Sequence, residues 1–311
     1  MKIIIIGHQN PDTDSVVAAL AYTELKNKID FTNEYISATA GSLNNETKFV
    51  LNYFKIPVPK LATDLKNWEG KIIILDHTEP SQLPPGVDTD KIIEILDHHR
   101  LGGLQTPNQI LARIEPVGST STIVAKIFKE KKVIPSKETA SLLISGIISD
   151  TLFLQSPTTT GDDRNVLKEL NKIAQIANLE DYANQMFEAK SDITGVLLSE
   201  IATKDYKEFQ FGQKKVGIGV WETVKPESVL RVKDQLIEEL KRIKTKDNLD
   251  LIYFLVVDIL KQKSSMIIVG EEENEVAEKV FGGKTKDYLL NMGNIVSRKK
   301  EIVPPLERFL K

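Results

Sequence analysis

An α/β fold in two domains is predicted, a parallel-sheet domain first and a smaller α/β domain second, and three observations predict it. Short runs of consecutive Ile and Leu alternate with amphipathic stretches through the first half, the pattern of a parallel sheet with crossover helices. The chain has 311 residues, about twice the length of a common single domain. Near residues 190–193 the apolar periodicity lapses into a polar segment, and separate elements begin after it.

Residues 2–6, 71–75 and 91–96 are the first strands, mostly Ile and Leu with no polar face, as expected of parallel strands covered on both sides. A helix is predicted over 15–25, with Asp14 or Ser15 capping its free N–H groups. Further helices are predicted over 119–130 and from about residue 137 to 148. Beyond the linker, Val229, Val232, Leu236, Ile237, Leu240 and Ile243 recur at helical spacing, and 249–257 and 265–269 read as strands.

Composition excludes much. Apolar residues at 41% and charged residues at 27% suit a globular chain. A net charge of -3 gives no cationic excess for coating nucleic acid. The absence of cysteine removes disulfides, thiolate metal sites and cysteine nucleophiles. No run approaches the roughly 20 apolar residues of a membrane span, and the first residues make a poor export signal, so a cytoplasmic protein is expected. Gly282-Gly283-Lys284-Thr285 lacks the upstream glycine of a phosphate-binding loop, where Glu278 stands, and Gly102-Gly103 reads as a turn.

The four histidines are not scattered: His8, His77, His98 and His99 all fall in the first third of the chain. The strands run into Gly7-His8-Gln9-Asn10-Pro11-Asp12-Thr13-Asp14-Ser15, Asp76-His77-Thr78-Glu79 and Asp97-His98-His99-Arg100, and Ser149-Asp150-Thr151 follows an apolar helix. One Asp after an apolar run is commonly only a cap or turn residue. Capping does not explain why every histidine stands beside carboxylates at strand ends, which in an open α/β sheet converge on the ligand crevice. Imidazole and carboxylate without sulfur suit Mn²⁺, Co²⁺ or Zn²⁺. The ligands are too many for one ion, and a two-metal site with a shared carboxylate would use them. Four carboxylates neutralise two divalent ions, so a polyanionic substrate needs further cations. Arg298-Lys299-Lys300, between Met292-Gly293-Asn294 and an apolar segment, could supply them.

These motifs, with Ser156-Pro157-Thr158 and Ser297-Arg298-Lys299-Lys300, together resemble the family II (manganese-dependent) inorganic pyrophosphatases of the DHH phosphoesterase superfamily over essentially the whole chain. The resemblance implies a Rossmann-like DHH domain over residues 1–189, a linker at 190–193 and a substrate-binding domain over 194–311. It implies that His8, Asp12 and Asp76 hold one Mn²⁺ or Co²⁺. Asp14, Asp76, His98 and Asp150 would hold a second, Asp76 bridging, and additional Mg²⁺ would arrive with the substrate. His99 would face the substrate, while Arg298, Lys299 and Lys207, the last from Asp205-Tyr206-Lys207-Glu208-Phe209, would clamp phosphate. His77 and Asp97 would orient the ligands.

The implied activity is hydrolysis of pyrophosphate to two phosphates in the interdomain cleft by a homodimer, through water activated by two metals. Gln155 and Glu301 stand where the family often has Lys and Gln, which implies weaker substrate affinity. An exopolyphosphatase, another DHH phosphoesterase or a non-catalytic phosphate sensor are the competing readings. Nuclease-type members carry a histidine in the second domain, and here none follows His99.

Overall fold

Isoleucine runs build the first sheet. The computed structural model describes residues 1–62 and 64–311, which divide into the units Met1–Lys190 and Ser191–Lys311. The first unit runs β1 (Lys2–Ile6), α1 (Thr13–Ile29), β2 (Glu34–Thr39), α2 (Asn45–Tyr53), β3 (Lys60–Leu61), β4 (Lys71–Leu75), β5 (Ile92–Asp97), β6 (Leu111–Ile114), α3 (Thr120–Glu130), α4 (Lys137–Thr151), α5 (Gly161–Ala174) and α6 (Leu179–Lys190).

Its six strands lie in the order β3-β2-β1-β4-β5-β6, every pairing parallel. This is the doubly wound order, in which the direction of winding reverses between β1 and β4 and leaves a crevice beyond their carboxyl ends. Ile3 to Ile6 and Ile72 to Leu75 are all buried. Ile4, Ile6, Ile72, Ile74, Ile92 and Ile95 share one apolar layer, each fully buried side chain contributing roughly 1.5–3 kcal/mol.

The strands at 2–6 and 71–75 begin and end where the sequence places them, and β5 is displaced by one residue. α1 is a correction: it starts at Thr13, and its N-cap is Asp12, whose Oδ1 accepts from Ser15 N at 2.9 Å. Asp14 lies inside the first turn, where its carboxylate is taken up by other donors. α3 begins at Thr120, one residue after the expected start, and Ser119 is its N-cap. α4 continues three residues past 148, so that Asp150 is carried on its last turn. After it, Leu152, Phe153 and Leu154 take φ values of 48°, 52° and 66°, three successive left-handed residues without a glycine.

The second unit runs α7 (Leu198–Thr203), β7 (Tyr206–Phe211), β8 (Lys214–Thr223), α8 (Glu227–Leu230), α9 (Lys233–Lys246), β9 (Leu251–Asp258), β10 (Lys263–Ile268), α10 (Glu271–Phe281), β11 (Leu289–Gly293) and α11 (Val303–Leu310). Its sheet, β11-β10-β9-β8-β7, is antiparallel except for the β8–β9 pair. β9 is buried along all its length, and alternation sends Leu251, Tyr253, Leu255 and Val257 toward Ala277 and Leu306. Ile252, Phe254 and Val256 pack against Leu236, Ile237 and Leu240. Val229 and Val232 fall outside the main helix, which begins at Lys233.

Candidate metal centre

The site grows from the ends of the strands on either side of the reversal in winding. β1 delivers His8 through Gly7, which lies so close to Ser15 that any side chain there would overlap its hydroxyl. β4 delivers Asp76, whose φ of 70° turns the chain sharply at the end of the strand. Asp tolerates that conformation better than most residues, and Asp76 N remains bonded to Leu96 O at 2.8 Å. β5 delivers Asp97, His98 and His99, and the last turn of α4 delivers Asp150.

Two donor sets share Asp76. His8, Asp12 and Asp76 form one and Asp14, Asp76, His98 and Asp150 the other, with candidate ligand atoms in each set all within 4.8 Å of one another. His8 Nε2 stands 3.5 Å from Asp76 Oδ2 and 3.6 Å from Asp12 Oδ2. His98 Nε2 stands 3.5 Å from Asp76 Oδ1 and 3.3 Å from Asp150 Oδ2. These separations are long for hydrogen bonds, and Asp76 Oδ2 and His98 Nε2 are buried without a hydrogen-bond partner. Two ligands each about 2.1 Å from one ion lie about 3.0–3.5 Å apart at tetrahedral to octahedral angles, so the donors fit shared cations. The second nitrogen of His98 is fixed elsewhere, Nδ1 on Val117 O at 3.1 Å, which turns Nε2 inward as is usual for ligating imidazoles.

Charge imbalance marks the same atoms. Burial alone would lower the pKa of His8, but the Asp12 and Asp76 carboxylates outweigh it and push it up to about 10. His98 is likewise pulled down by burial and driven up to about 12 by Asp150 and Asp76. Burial and then the Asp76 charge raise Asp14 to about 7, and burial with Asp14 and Asp12 raises Asp150. Burial works against the Asp76 anion, yet His8 and His98 hold its carboxyl below the usual range. Protons here balance charge that divalent cations would balance better.

A third group, Asp76, His98 and His99, also gathers potential ligand atoms. His99 is held by Asp97 Oδ1, which accepts from both its backbone N at 3.0 Å and its Nδ1 at 2.9 Å. The Asp97 hydrogen bond raises the His99 pKa. His77 sits edge-on to the His8 ring with centroids 6.1 Å apart, its Nδ1 near Leu75 O at 3.1 Å, and burial lowers its pKa.

In the second unit, Lys207 projects from β7 and is exposed, as is Lys299. Arg298 is not free: Nη1 donates to Asp205 O at 2.7 Å and Ile218 O at 3.2 Å, and Nη2 to Asp205 Oδ1 at 2.6 Å. That leaves Nε and one Nη2 hydrogen for a ligand. Glu301 bears on the expected loss of affinity, because its carboxylate accepts from Val296 N at 3.0 Å and Ser297 N at 2.8 Å. Its charge is spent on the turn before Arg298. Gln155 is exposed after the left-handed run.

Sequence reasoning missed a layer of polar groups behind the candidate ligands. Glu46, fully buried on α2, accepts from Thr13 Oγ1 at 2.8 Å and Ser149 Oγ at 2.7 Å, tying the neighbours of Asp12, Asp14 and Asp150 together. Lys190 Nζ lies 3.4 Å from Glu46 Oε2; burial pulls its pKa down, and Glu46, Asp150 and Asp12 more than reverse this. Buried Ser and Thr in Gly118-Ser119-Thr120-Ser121-Thr122 were legible only as a helix start.

The family model for the DHH family, N-terminal domain, matches residues 2–147, and that for the DHHA2 domain matches residues 184–309. The chain is 41% identical over 304 residues to a Clostridium acetobutylicum protein named probable manganese-dependent inorganic pyrophosphatase, covering 98% of this chain and 96% of that one. It is 36% identical over 311 residues to the manganese-dependent inorganic pyrophosphatase of Methanothrix thermoacetophila, covering 100% and 99%. A crystal structure of a Methanococcus jannaschii protein assigned to the family II inorganic pyrophosphatases aligns with a TM-score of 0.66 at 36% identity, covering 100% of this chain and 99% of that one. With identity sustained along the full length and both domain models matched in order, the chain belongs to the family II, manganese-dependent inorganic pyrophosphatases.

Proposed function

We infer that this chain hydrolyses inorganic pyrophosphate to two phosphates, a reading carried by one observation: the two oxygens of Asp76 face two different donor sets. His8, Asp12 and Asp76 would hold one divalent cation, and Asp14, Asp76, His98 and Asp150 the other. When bound, such a pair supplies Lewis acidity and lowers the pKa of a water to give a nucleophile at neutral pH. The protein's own contribution is positional. His99, fixed through Nδ1 by Asp97, presents Nε2 to the leaving phosphate. Arg298 offers its two remaining donors in a fixed direction, and Lys207 and Lys299 add point charges against the phosphoryl oxygens.

Manganese or cobalt suits the imidazole and carboxylate donors, with Mg²⁺ entering on the substrate. The reading includes a homodimer, supported by the outer position of β6 in its sheet and the exposure of Leu111 on that strand. It also includes a cytoplasmic setting; no helix among the described residues is long and apolar enough to cross a membrane.

Phosphate release from pyrophosphate, tripolyphosphate, long polyphosphate and a dinucleotide, each with Mn²⁺ and with chelator, tests the activity. Pyrophosphate is expected to be preferred by a wide margin and chelator to abolish turnover; a preference for long polyphosphate would make the chain an exopolyphosphatase. Asp76→Ala is expected to lose both activity and tight metal binding, and near-normal turnover would remove Asp76 from the bridging role.

A further inference from the structure

Helix α3 begins against the carboxylates, and its first turn is addressed to two of them. Ser119 caps it, its hydroxyl accepting from Thr122 N at 3.1 Å. Asp163 fixes this start from behind, accepting from Gly118 N at 2.9 Å and from Thr122 Oγ1 at 2.6 Å. The N–H groups that a helix start leaves unpaired go to Asp14, from Thr120 N to Oδ2 at 2.6 Å and from Ser121 N to Oδ1 at 3.0 Å. The Thr120 side chain turns instead to Asp76, its hydroxyl donating to Oδ1 at 2.8 Å. Thr120 is fully buried.

That bond is the only side-chain hydrogen bond to Asp76 that meets hydrogen-bond geometry among the described residues, and Oδ2 has no partner. Rotation of the carboxylate about its Cβ–Cγ bond moves both oxygens together. A single cation can be served by this group over a range of rotations. Two cations require one rotation, in which Oδ1 faces His98 while Oδ2 faces His8. Thr120 holds that rotation.

We propose that Thr120 is a positioning residue that locks Asp76 in its bridging orientation and so sets the affinity for the second of two cations. The proposal rests on the two-cation reading above. Two effects oppose each other. The donated hydrogen bond withdraws electron density from Oδ1, which weakens coordination, and it fixes the carboxylate, which strengthens coordination. Loss of hydrogen-bond partners behind metal ligands commonly costs about 10–100-fold in metal affinity, so orientation is the larger effect.

The test is a titration of the metal-free full chain with Mn²⁺, free Mn²⁺ being followed by electron paramagnetic resonance. Wild type is expected to take up two ions in resolvable steps. Thr120→Val, close in shape but without the hydroxyl, is expected to weaken the second step by about tenfold or more and leave the first within about twofold. Thr120→Ser, which restores a donor, is expected to return the second step to within about threefold of wild type. Thermal unfolding of each metal-free variant checks folding, and Thr120→Ala provides a second hydroxyl-free form if the valine variant does not fold. Equal weakening of both steps, no weakening of either, or a serine variant as weak as the valine one overturns the role of Thr120. Uptake of fewer than two ions by wild type overturns the two-cation reading itself, and the proposal with it.

Discussion

Gly146 on α4 lies directly against the carboxylate of Asp14: a methyl group at this position would overlap both Asp14 Oδ1 and Ser121 Oγ. Glycine inside a helix usually costs about 0.5–1 kcal/mol relative to alanine. Here the sign reverses, because overpacking costs about 1–3 kcal/mol and the atoms in the way belong to a candidate cation ligand and its neighbour. Gly146→Ala is therefore expected to lower the stability of the metal-free chain in denaturant unfolding and to weaken Mn²⁺ binding. A variant as stable as wild type would mean that α4 can shift away without cost.

Proton release should accompany metal binding. With His8 pushed up to about 10 and His98 to about 12, both imidazoles carry protons at pH 7 in the metal-free chain and must lose them to coordinate. Full loading is expected to release about two protons from the imidazoles, with further release from Asp14 and Asp150, whose pKa values are also raised. Calorimetric titrations in buffers of different ionisation enthalpy measure that number. Apparent Mn²⁺ affinity is expected to rise from pH 6 to pH 8, and a flat profile would contradict the protonated histidines.

The same shifts give the metal-free chain an opposite trend. Folded-state pKa values above the unfolded value near 6.5 mean that the native state binds more protons, so stability falls as pH rises. The contribution is complete below about pH 6.5 and is lost as pH climbs through about 10 and beyond. Asp14, raised to about 7 by burial, adds a fall between its unfolded value near 4 and pH 7. Metal-free melting temperatures measured from pH 5 to pH 9 should therefore decline, while the gain on adding Mn²⁺ should grow.

Asp205 sets the direction of Arg298 in the second unit. Asp205→Ala removes the carboxylate and leaves the backbone carbonyl, so the guanidinium keeps a single strong anchor at that residue. The expected result is a drop of about tenfold in kcat/KM for pyrophosphate, about 1.4 kcal/mol, mainly as a higher KM, with both Mn²⁺ binding steps unchanged. Steady-state kinetics and the metal titration together decide it. An unchanged KM would mean that Arg298 finds its direction without Asp205.

Much of this was legible in the sequence because two signals coincided. Uninterrupted isoleucine in β1 and β4 marks strands buried on both faces, and the residues that follow, His8 and Asp76, mark where those strands open onto the crevice. Strands with ordinary composition were not legible: β6 is only Leu111–Ile114 and half exposed, and β7, Tyr206-Lys207-Glu208-Phe209-Gln210-Phe211, mixes charged and polar residues among its aromatics without strict alternation. The start of α1 was misplaced because Asp12 and Asp14 are equally good caps by composition. Only the fold decides that Asp12 caps the helix while Asp14 receives the amides of α3. The roles of Thr120 and Glu46 were invisible for a related reason, since a hydroxyl or carboxylate reveals its purpose through a partner: Asp76 lies 44 positions from Thr120 and Ser149 lies 103 from Glu46.

The left-handed run Leu152, Phe153 and Leu154 changes how drift in this chain should be understood. All three are partly buried and apolar, so a hydropathy profile would treat valine or isoleucine as harmless replacements. At positive φ these β-branched residues are the costly ones, while asparagine and glycine, poor in hydropathy, fit the backbone. Acceptable substitutions just past Asp150 are ranked by torsion angle before they are ranked by oiliness, and relatives that diverge here can keep the turn while abandoning its apolar character.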